Sequence, residues 1–304
     1  MWHRLASALV AVWGAVTLVF VITRFIGDPS ALLLPIGASA AQIDALRAQL
    51  GLDLPLWEQY LHYLGQVFEG DFGQSFISGK PALAQVLERL PATLLLGGSA
   101  LAFGVLSGGL AAVALATRGD RLTRFILQPL VLLAQATPGF WLGMLLVMLF
   151  AVNLGWLPSG GYGKASHLVL PAVTLGAFIA ASVARFLQAS LLEALHGEHV
   201  RTALAAGLPW SHVFRWHVLR NGLVPVVTFL GIVAGELLGG AVVVETVFSW
   251  PGSGRLLVQS INSQDFPVIQ AAVLVAAVLF VAINLLVDLL NQWLDPRIAH
   301  GGRR

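Results

Sequence analysis

The stretch Glu198–Asn221 reads EHVRTALAAGLPWSHVFRWHVLRN. Arginines at 201, 215 and 220 and histidines at 199, 212 and 217 make it polar, and Gly207-Leu208-Pro209 breaks it in two. Long apolar segments lie on either side, near 168–190 and 224–247. Each has the length of about 20 residues that a helix needs to cross the hydrocarbon of a bilayer. A basic, punctuated helix–turn–helix held between two spans implies a surface at which the chain touches something on one side of the membrane. Helix is predicted over Arg201–Ala206 and again over Trp210–Leu219. Gly207 supplies a turn that a residue with a Cβ adopts poorly. The alanines at 203, 205 and 206 are expected to form a small-residue surface that a partner approaches closely.

The rest of the chain agrees with a membrane setting. Of 304 residues, 57% are hydrophobic and only 11% are charged, more apolar surface than a soluble core absorbs. Apolar stretches near 7–27, 94–117, 125–151, 168–190, 224–247 and 268–292 are the predicted spans, six in all. Period-two alternation is absent, which argues against a β-barrel. The reading is therefore an all-α polytopic membrane protein, one membrane domain over residues 1–304. Arg4, Arg118, Arg121, Arg124, Arg201, Arg215, Arg220, Arg297, Arg303 and Arg304 fall in loops on one side, and Lys164 and Arg255 in short loops on the other. The positive-inside rule places the first group, segment 191–222 and both termini in the cytoplasm. Segment 28–92 is then external, and it is acidic (Asp28, Asp44, Asp53, Glu58, Glu69, Asp71, Glu88). No small-x-small cleavage site follows the first apolar segment, so it is read as a span and not as a signal peptide.

Local signals add detail. Ser39 is a predicted N-cap for SAAQIDALRAQLGL, which stops at Gly51. PLWEQYLHYLGQVFEG places Trp57, Tyr60, Leu61, Leu64 and Phe68 on one face of an amphipathic helix that lies on the membrane surface or against the spans. Pro91 is read as opening the second span, where proline is tolerated. Gly104/Gly108, Gly139/Gly143 and Gly231/Gly235/Gly239 are small-xxx-small faces suited to close helix packing. Ala136-Thr137-Pro138-Gly139 marks a kink or break inside the third span.

Catalytic chemistry finds little footing. Cysteine is absent, so no disulfide or zinc finger is possible. GQSFISGK (Gly73–Lys80) resembles a phosphate-binding loop, but it has one residue too many between its glycines and Pro81 after the lysine. No HExxH or GxSxG occurs, and His196 and His199 read as ordinary surface histidines. If ATP drives this protein, another polypeptide hydrolyses it. The acidic groups weighed inside the spans are Glu236, Glu245 and Asp288. Carboxylates at hydrocarbon depth face a cavity or a partner. Glu236 and Glu245 are therefore candidates for a pore or substrate path, against a structural hydrogen-bonding role for each.

Arg201–Leu208 (RTALAAGL) followed by His217–Pro225 (HVLRNGLVP) resembles the coupling motif of membrane subunits in ATP-binding-cassette importers. LGLDLPLWEQY (50–60), GDFGQS (70–75), PGFWLG (138–143), LGWLPSGGYG (154–163), ETVFSWPGSGR (245–255) and NLLVDLLNQWLDPRI (284–298) carry the resemblance over nearly the whole chain. The chain is similar to the first of the two membrane subunits of the dipeptide/oligopeptide/nickel permeases. Ala206 and Leu204 depart from the basic residues common in that family, while Gly235-Glu236-Leu237-Leu238-Gly239 looks more like its nickel branch. The resemblance implies the type I importer permease fold, with Arg201, Thr202, Ala203, Ala205, Gly207 and Leu208 as the ATPase-coupling residues. It also implies a second homologous permease, two ATPase subunits, an external substrate-binding protein, and a bacterial inner-membrane location. No cofactor and no nucleic acid is expected on this chain. Short peptides are the first substrate class and a nickel chelate the second. A secondary transporter driven by an ion gradient is the rival from another class.

Overall fold

The computed structural model describes residues 2–26, 30, 34, 38–49, 51–118 and 120–294; within helices, the side chains at 2–5, 26, 224, 228, 232, 234–236, 238, 288 and 290–294 lie outside the described set. In chain order the helices are α1 (Trp2–Ile26), α2 (Ala40–Gln49), α3 (Leu56–Glu69), α4 (Ala82–Thr117), α5 (Arg121–Ala136), α6 (Gly139–Leu146), α7 (Ala165–Leu195), α8 (Glu198–Ala205), α9 (Trp210–Val213), α10 (Arg220–Val247), α11 (Ser253–Asn262) and α12 (Phe266–Leu294). No strand forms among the described residues. A π-helical stretch extends α6 over Val147–Asn153, and another, Phe214–Leu219, joins α9 to α10. Both joints of the second stretch keep right-handed helical dihedrals, so Trp210–Val247 is one uninterrupted helical run.

Among the described residues, four helical segments have the length and composition of spans: Ala6–Phe25, Ala82–Thr117, Ala165–Leu195 and Phe266–Val287. The expected third span, 125–151, is a bent pair instead. α5 and α6 meet at 117°. The cause is local, because the residue before a proline is driven out of helical geometry. Thr137 precedes Pro138 and takes φ −83° and ψ 125°. The expected fifth span lies within α10, several of whose side chains are outside the described set. Pro91 does not open a helix as the sequence suggests. It sits ten residues into α4, which begins at Ala82. There it removes a single backbone donor. The adjacent turn is held from outside by the Trp250 indole, whose Nε1 donates to Ala92 O at 2.9 Å. Asp28 and the arginines at 297, 303 and 304 lie outside the described residues.

The chain divides into two compact units, Met1–Pro91 with Gly252–Val281, and Ala92–Pro251 with Ala282–Arg304. In the first, α3 packs on α1 through Tyr63, Val16 and Phe20. Phe20 stacks on Tyr63 at 5.5 Å and meets Tyr60 edge-on at 5.2 Å. The Tyr60 hydroxyl lies 2.6 Å from Thr17 Oγ1. Burial, with Tyr60 as the lesser cause, pushes the Tyr63 phenol up to about 12. The amphipathic helix thus lies against α1, with Tyr60 and Leu64 of the predicted face packed on it. Tyr63 and Gln59 are its buried residues, while Trp57, Leu61 and Phe68 point away, exposed. Ser39 does cap α2, exchanging hydrogen bonds with Gln42 in a capping box.

The loop that resembles a phosphate cradle is occupied by the chain's own carboxylate. Ser75 Oγ donates to Asp265 Oδ2 at 2.5 Å, and Phe76 N donates to Asp265 Oδ1 at 3.0 Å. Asp265 is buried at the entrance to α12, above a cluster of Phe72, Ala82, Val86, Val268, Ala271 and Ala272. The polar atoms of Gly73–Lys80 therefore clamp two distant stretches together.

In the second unit, α4 and α7 cross almost backbone to backbone. A Cβ on Gly104 would lie 2.6 Å from Ile179 Cβ, and one on Gly108 would collide with Ala180 O. From the other side, a Cβ on Gly176 would lie 2.5 Å from Ala100 O. One of the predicted small-residue faces is thus a close helix crossing. Beneath it runs a core of Ile179, Val183, Leu187 and Leu191 from α7 with Val226 and Val233 from α10. Gly108→Leu is expected to cost about 1–3 kcal/mol or more by overpacking. Gly109→Leu, one residue on and in open space, should cost little. Thermal denaturation in detergent compares the two, and equal losses would contradict the crossing.

Candidate functional site

Segment 191–222 folds as a small, self-supporting knob. α8 starts after Gly197 and ends at Ala205, with Ala206 as its C-cap; its Val200 and Ala203 are 2% and 6% exposed. They join Val213, Val218 and Leu191 in the core of the second unit. Two i+3-spaced apolar residues on α8 and two on the following helical run are enough to anchor both arms. Between the arms, Gly207 takes φ +81°. Gly207 N donates to Leu204 O at 3.0 Å and Leu208 N to Ala203 O at 3.2 Å. This pair of bonds is a Schellman motif, which caps the last carbonyls of α8 and requires a left-handed residue at its centre.

The geometry sorts the sequence-derived coupling residues. Arg201, Thr202, Ala205, Gly207 and Leu208 are exposed, as are Leu204, Ala206, Pro209 and Trp210. A Cβ on Gly207 would meet nothing within 4 Å. Ala203 is the exception to the expected small-residue surface, because its side chain faces the core. The exposed rim is small and apolar, with Leu204, Leu208 and Trp210 as its larger members. Arg201 lies 3.4 Å from Glu198, both solvent-facing; such a pair contributes little. His199 Nε2 lies 3.5 Å from Asn221 Nδ2. His196 Nδ1 lies 2.7 Å from Leu192 O, closing its own turn.

The carboxylates separate as well. Glu245 is fully buried, and Thr93 Oγ1 donates to its Oε1 at 2.7 Å. Phe248 and Trp250 pack around that end of α10 with Ala92, Leu96 and Leu170. Enclosed in this way, Glu245 ties α10 to α4, which is the structural hydrogen-bonding role weighed for it in the sequence. The side chains of Glu236 and Asp288 lie outside the described set.

A charge inside a span escaped the sequence reading. Arg185 sits in the 168–190 apolar stretch of α7, exposed within this chain. Its Nη1 donates to Gln135 Oε1 in the last turn of α5. Beside it opens a cavity of about 500 Å³ lined by Gln135, Ser182, Arg185, Gln188 and apolar neighbours. Charged side chains within spans face protein or a water-filled cavity and not lipid. A single charged residue in the 168–190 window was the legible signal.

Two solved structures share the architecture. One is a crystal structure of an amino acid ABC transporter with histidines, with TM-score 0.55 and 18% identity, covering 69% of this chain and 94% of that one. The other is the methionine ABC transporter MetNI in an inward-facing form, with TM-score 0.52 and 19% identity, covering 70% and 95%. These likenesses give the fold, the type I ABC importer permease fold. The class, a membrane permease of an ABC importer, rests on the sequence comparisons. Residues 104–300 match the family described as binding-protein-dependent transport system inner membrane component, and residues 1–97 match its N-terminal region. The chain belongs to that family. It is 40% identical over 298 residues to the glutathione transport system permease protein GsiC of Escherichia coli (strain K12), covering 98% of this chain and 97% of the relative. The same figures hold for GsiC of Shigella dysenteriae serotype 1 (strain Sd197). The chain is accordingly a multi-pass inner-membrane permease subunit. It is not an enzyme: ATP hydrolysis lies in separate subunits, and a substrate-binding protein serves the same system.

The turn makes a direct test. Gly207→Val should cost about 1–2 kcal/mol in left-handed strain, whereas Gly207→Asn, which tolerates that conformation, should cost less. Limited proteolysis of the 204–210 rim should rise roughly fivefold or more for the valine variant. Equal cleavage of the two variants would contradict the left-handed turn.

Proposed function

We propose that this chain is one of two different permeases forming the pore of an importer for short peptides, glutathione-like tripeptides among them. The observation that carries the coupling half of this reading is the exposed Gly207 rim seated on the buried Val200, Ala203, Val213 and Val218. An apolar knob rooted in the core of the second unit suits mechanical coupling. A push on its rim is borne by α7 and by the continuous run into α10, and not absorbed by a loose loop. Two ATPase subunits dock at this surface. Arg201, Thr202, Ala205, Gly207 and Leu208 make the contact, and Ala203 holds the knob's base.

Segment 191–222 and both termini then lie in the cytoplasm, as the arginine distribution supports. Residues 28–92 and 248–267 face the binding protein outside. The pore alternates access by rocking helix bundles when ATP closes the ATPase dimer. This reading requires no cofactor on the chain. The peptide class rests on the 40% identity to GsiC over nearly the full length of both chains.

The test is uptake in a strain lacking only this gene. Labelled tripeptide uptake should fall to background and return with the wild-type gene, while nickel accumulation in the same cultures stays unchanged. Loss of nickel accumulation alone overturns the peptide reading. A plasmid carrying Arg201→Glu with Gly207→Leu should fail to restore uptake although the protein reaches the membrane; full restoration would refute the coupling role.

A further inference from the structure

We infer that Arg185, with Gln135, Ser182 and Gln188 around it, forms a station on the transport path that holds the carboxylate of the passing peptide. The inference rests on the peptide-importer reading above and names what that path recognises.

Arg185 stands ten residues from the end of α7 and five from the end of the 168–190 stretch read as a span. Its bonded partner, Gln135, is neutral and occupies one guanidinium nitrogen. A guanidinium offers five N–H donors in a planar fork and has no acceptor. Among the described residues, no carboxylate pairs with it. The charge is therefore fixed in place, partly hydrogen-bonded, and still lacking an anion. A carboxylate matches the free edge of the fork in two parallel hydrogen bonds. Gln135 braces Arg185 from the turn just before the Thr137–Pro138 break, so the fork is oriented before the anion arrives.

The surroundings suit a peptide. Gln188 and Ser182 supply donors and acceptors for amide groups, and Phe186 and Leu192 supply apolar wall, around a cavity of about 500 Å³. A second cavity of the same unit, about 430 Å³, is walled by Leu94, Leu101, Val227, Leu230 and Val287 with Thr93 as its polar side chain. It offers nothing to a carboxylate. The two cavities thus separate by chemistry, and only the first can distinguish a free acid from its neutral amide.

The experiment uses the complete transporter, with its own binding protein saturated by ligand, in proteoliposomes. Uptake of a labelled tripeptide is compared with that of its C-terminal amide. The wild type should import the free acid faster. Arg185→Gln should lower the acid-to-amide ratio by about tenfold, the size expected for losing a charge-assisted bond. Arg185→Lys should keep part of the ratio. Equal lowering of both substrates, with the ratio unchanged, would assign Arg185 to pairing with a carboxylate of the second permease and overturn the proposal. Equal rates for acid and amide in the wild type would also overturn it, without need of any variant. Import of neither peptide by the wild type would instead sink the peptide reading itself.

Discussion

The backbone-to-backbone approach of α4 and α7 is the constraint on which the second unit rests. Hydrophobic burial gives little drive between helices in lipid, where the tails are as apolar as leucine, so association depends on close packing. Gly104, Gly108 and Gly176 permit that packing by leaving space for Ile179, Ala180 and Ala100. Once α7 is fixed on α4, its inner face of Ile179, Val183, Leu187 and Leu191 receives α10 and the arms of the knob. Its other side carries Arg185 toward Gln135. One helix therefore serves as the spine for both the knob and the cavity beside Arg185.

Polar groups in this unit follow two distinct rules. Glu245 is enclosed and hydrogen-bonded to Thr93, which makes it part of the packing. Arg185 is exposed within the single chain and braced by a neutral amide, which makes it a surface awaiting a counterpart. Two ionisable residues inside spans thus differ in role because one is sealed by Phe248 and Trp250 and the other borders a cavity.

Much of this was legible in the sequence. Apolar length gave four of the six expected spans, with the bent pair as a fifth; the Thr137-Pro138 pair gave the break, Ser39 gave the cap, and the Gly207 turn was readable from residue types alone. Three kinds of information were not. The continuation of α4 back to Ala82 depends on tertiary support around Pro91, which no local pattern encodes. The inward face of Ala203 follows from helical phase relative to α7, and an alanine carries no signal of which way it points. The burial of Glu245 and the placement of Arg185 beside Gln135 depend on contacts 152 and 50 residues apart in sequence. Hydropathy flags a charge in a span, but not whether that charge is enclosed.

The clamp between Ser75 and Asp265 joins positions 190 residues apart. A ribosome adds about 5–20 residues per second, so roughly 10–40 s pass between synthesis of the two ends. During that interval Ser75 Oγ and the Phe76 amide have no such acceptor, and the cluster beneath them lacks the side chains of α12. The loop at Gly73–Lys80 is thus made early, but its two hydrogen bonds to Asp265 form only once the entrance to α12 has been synthesised.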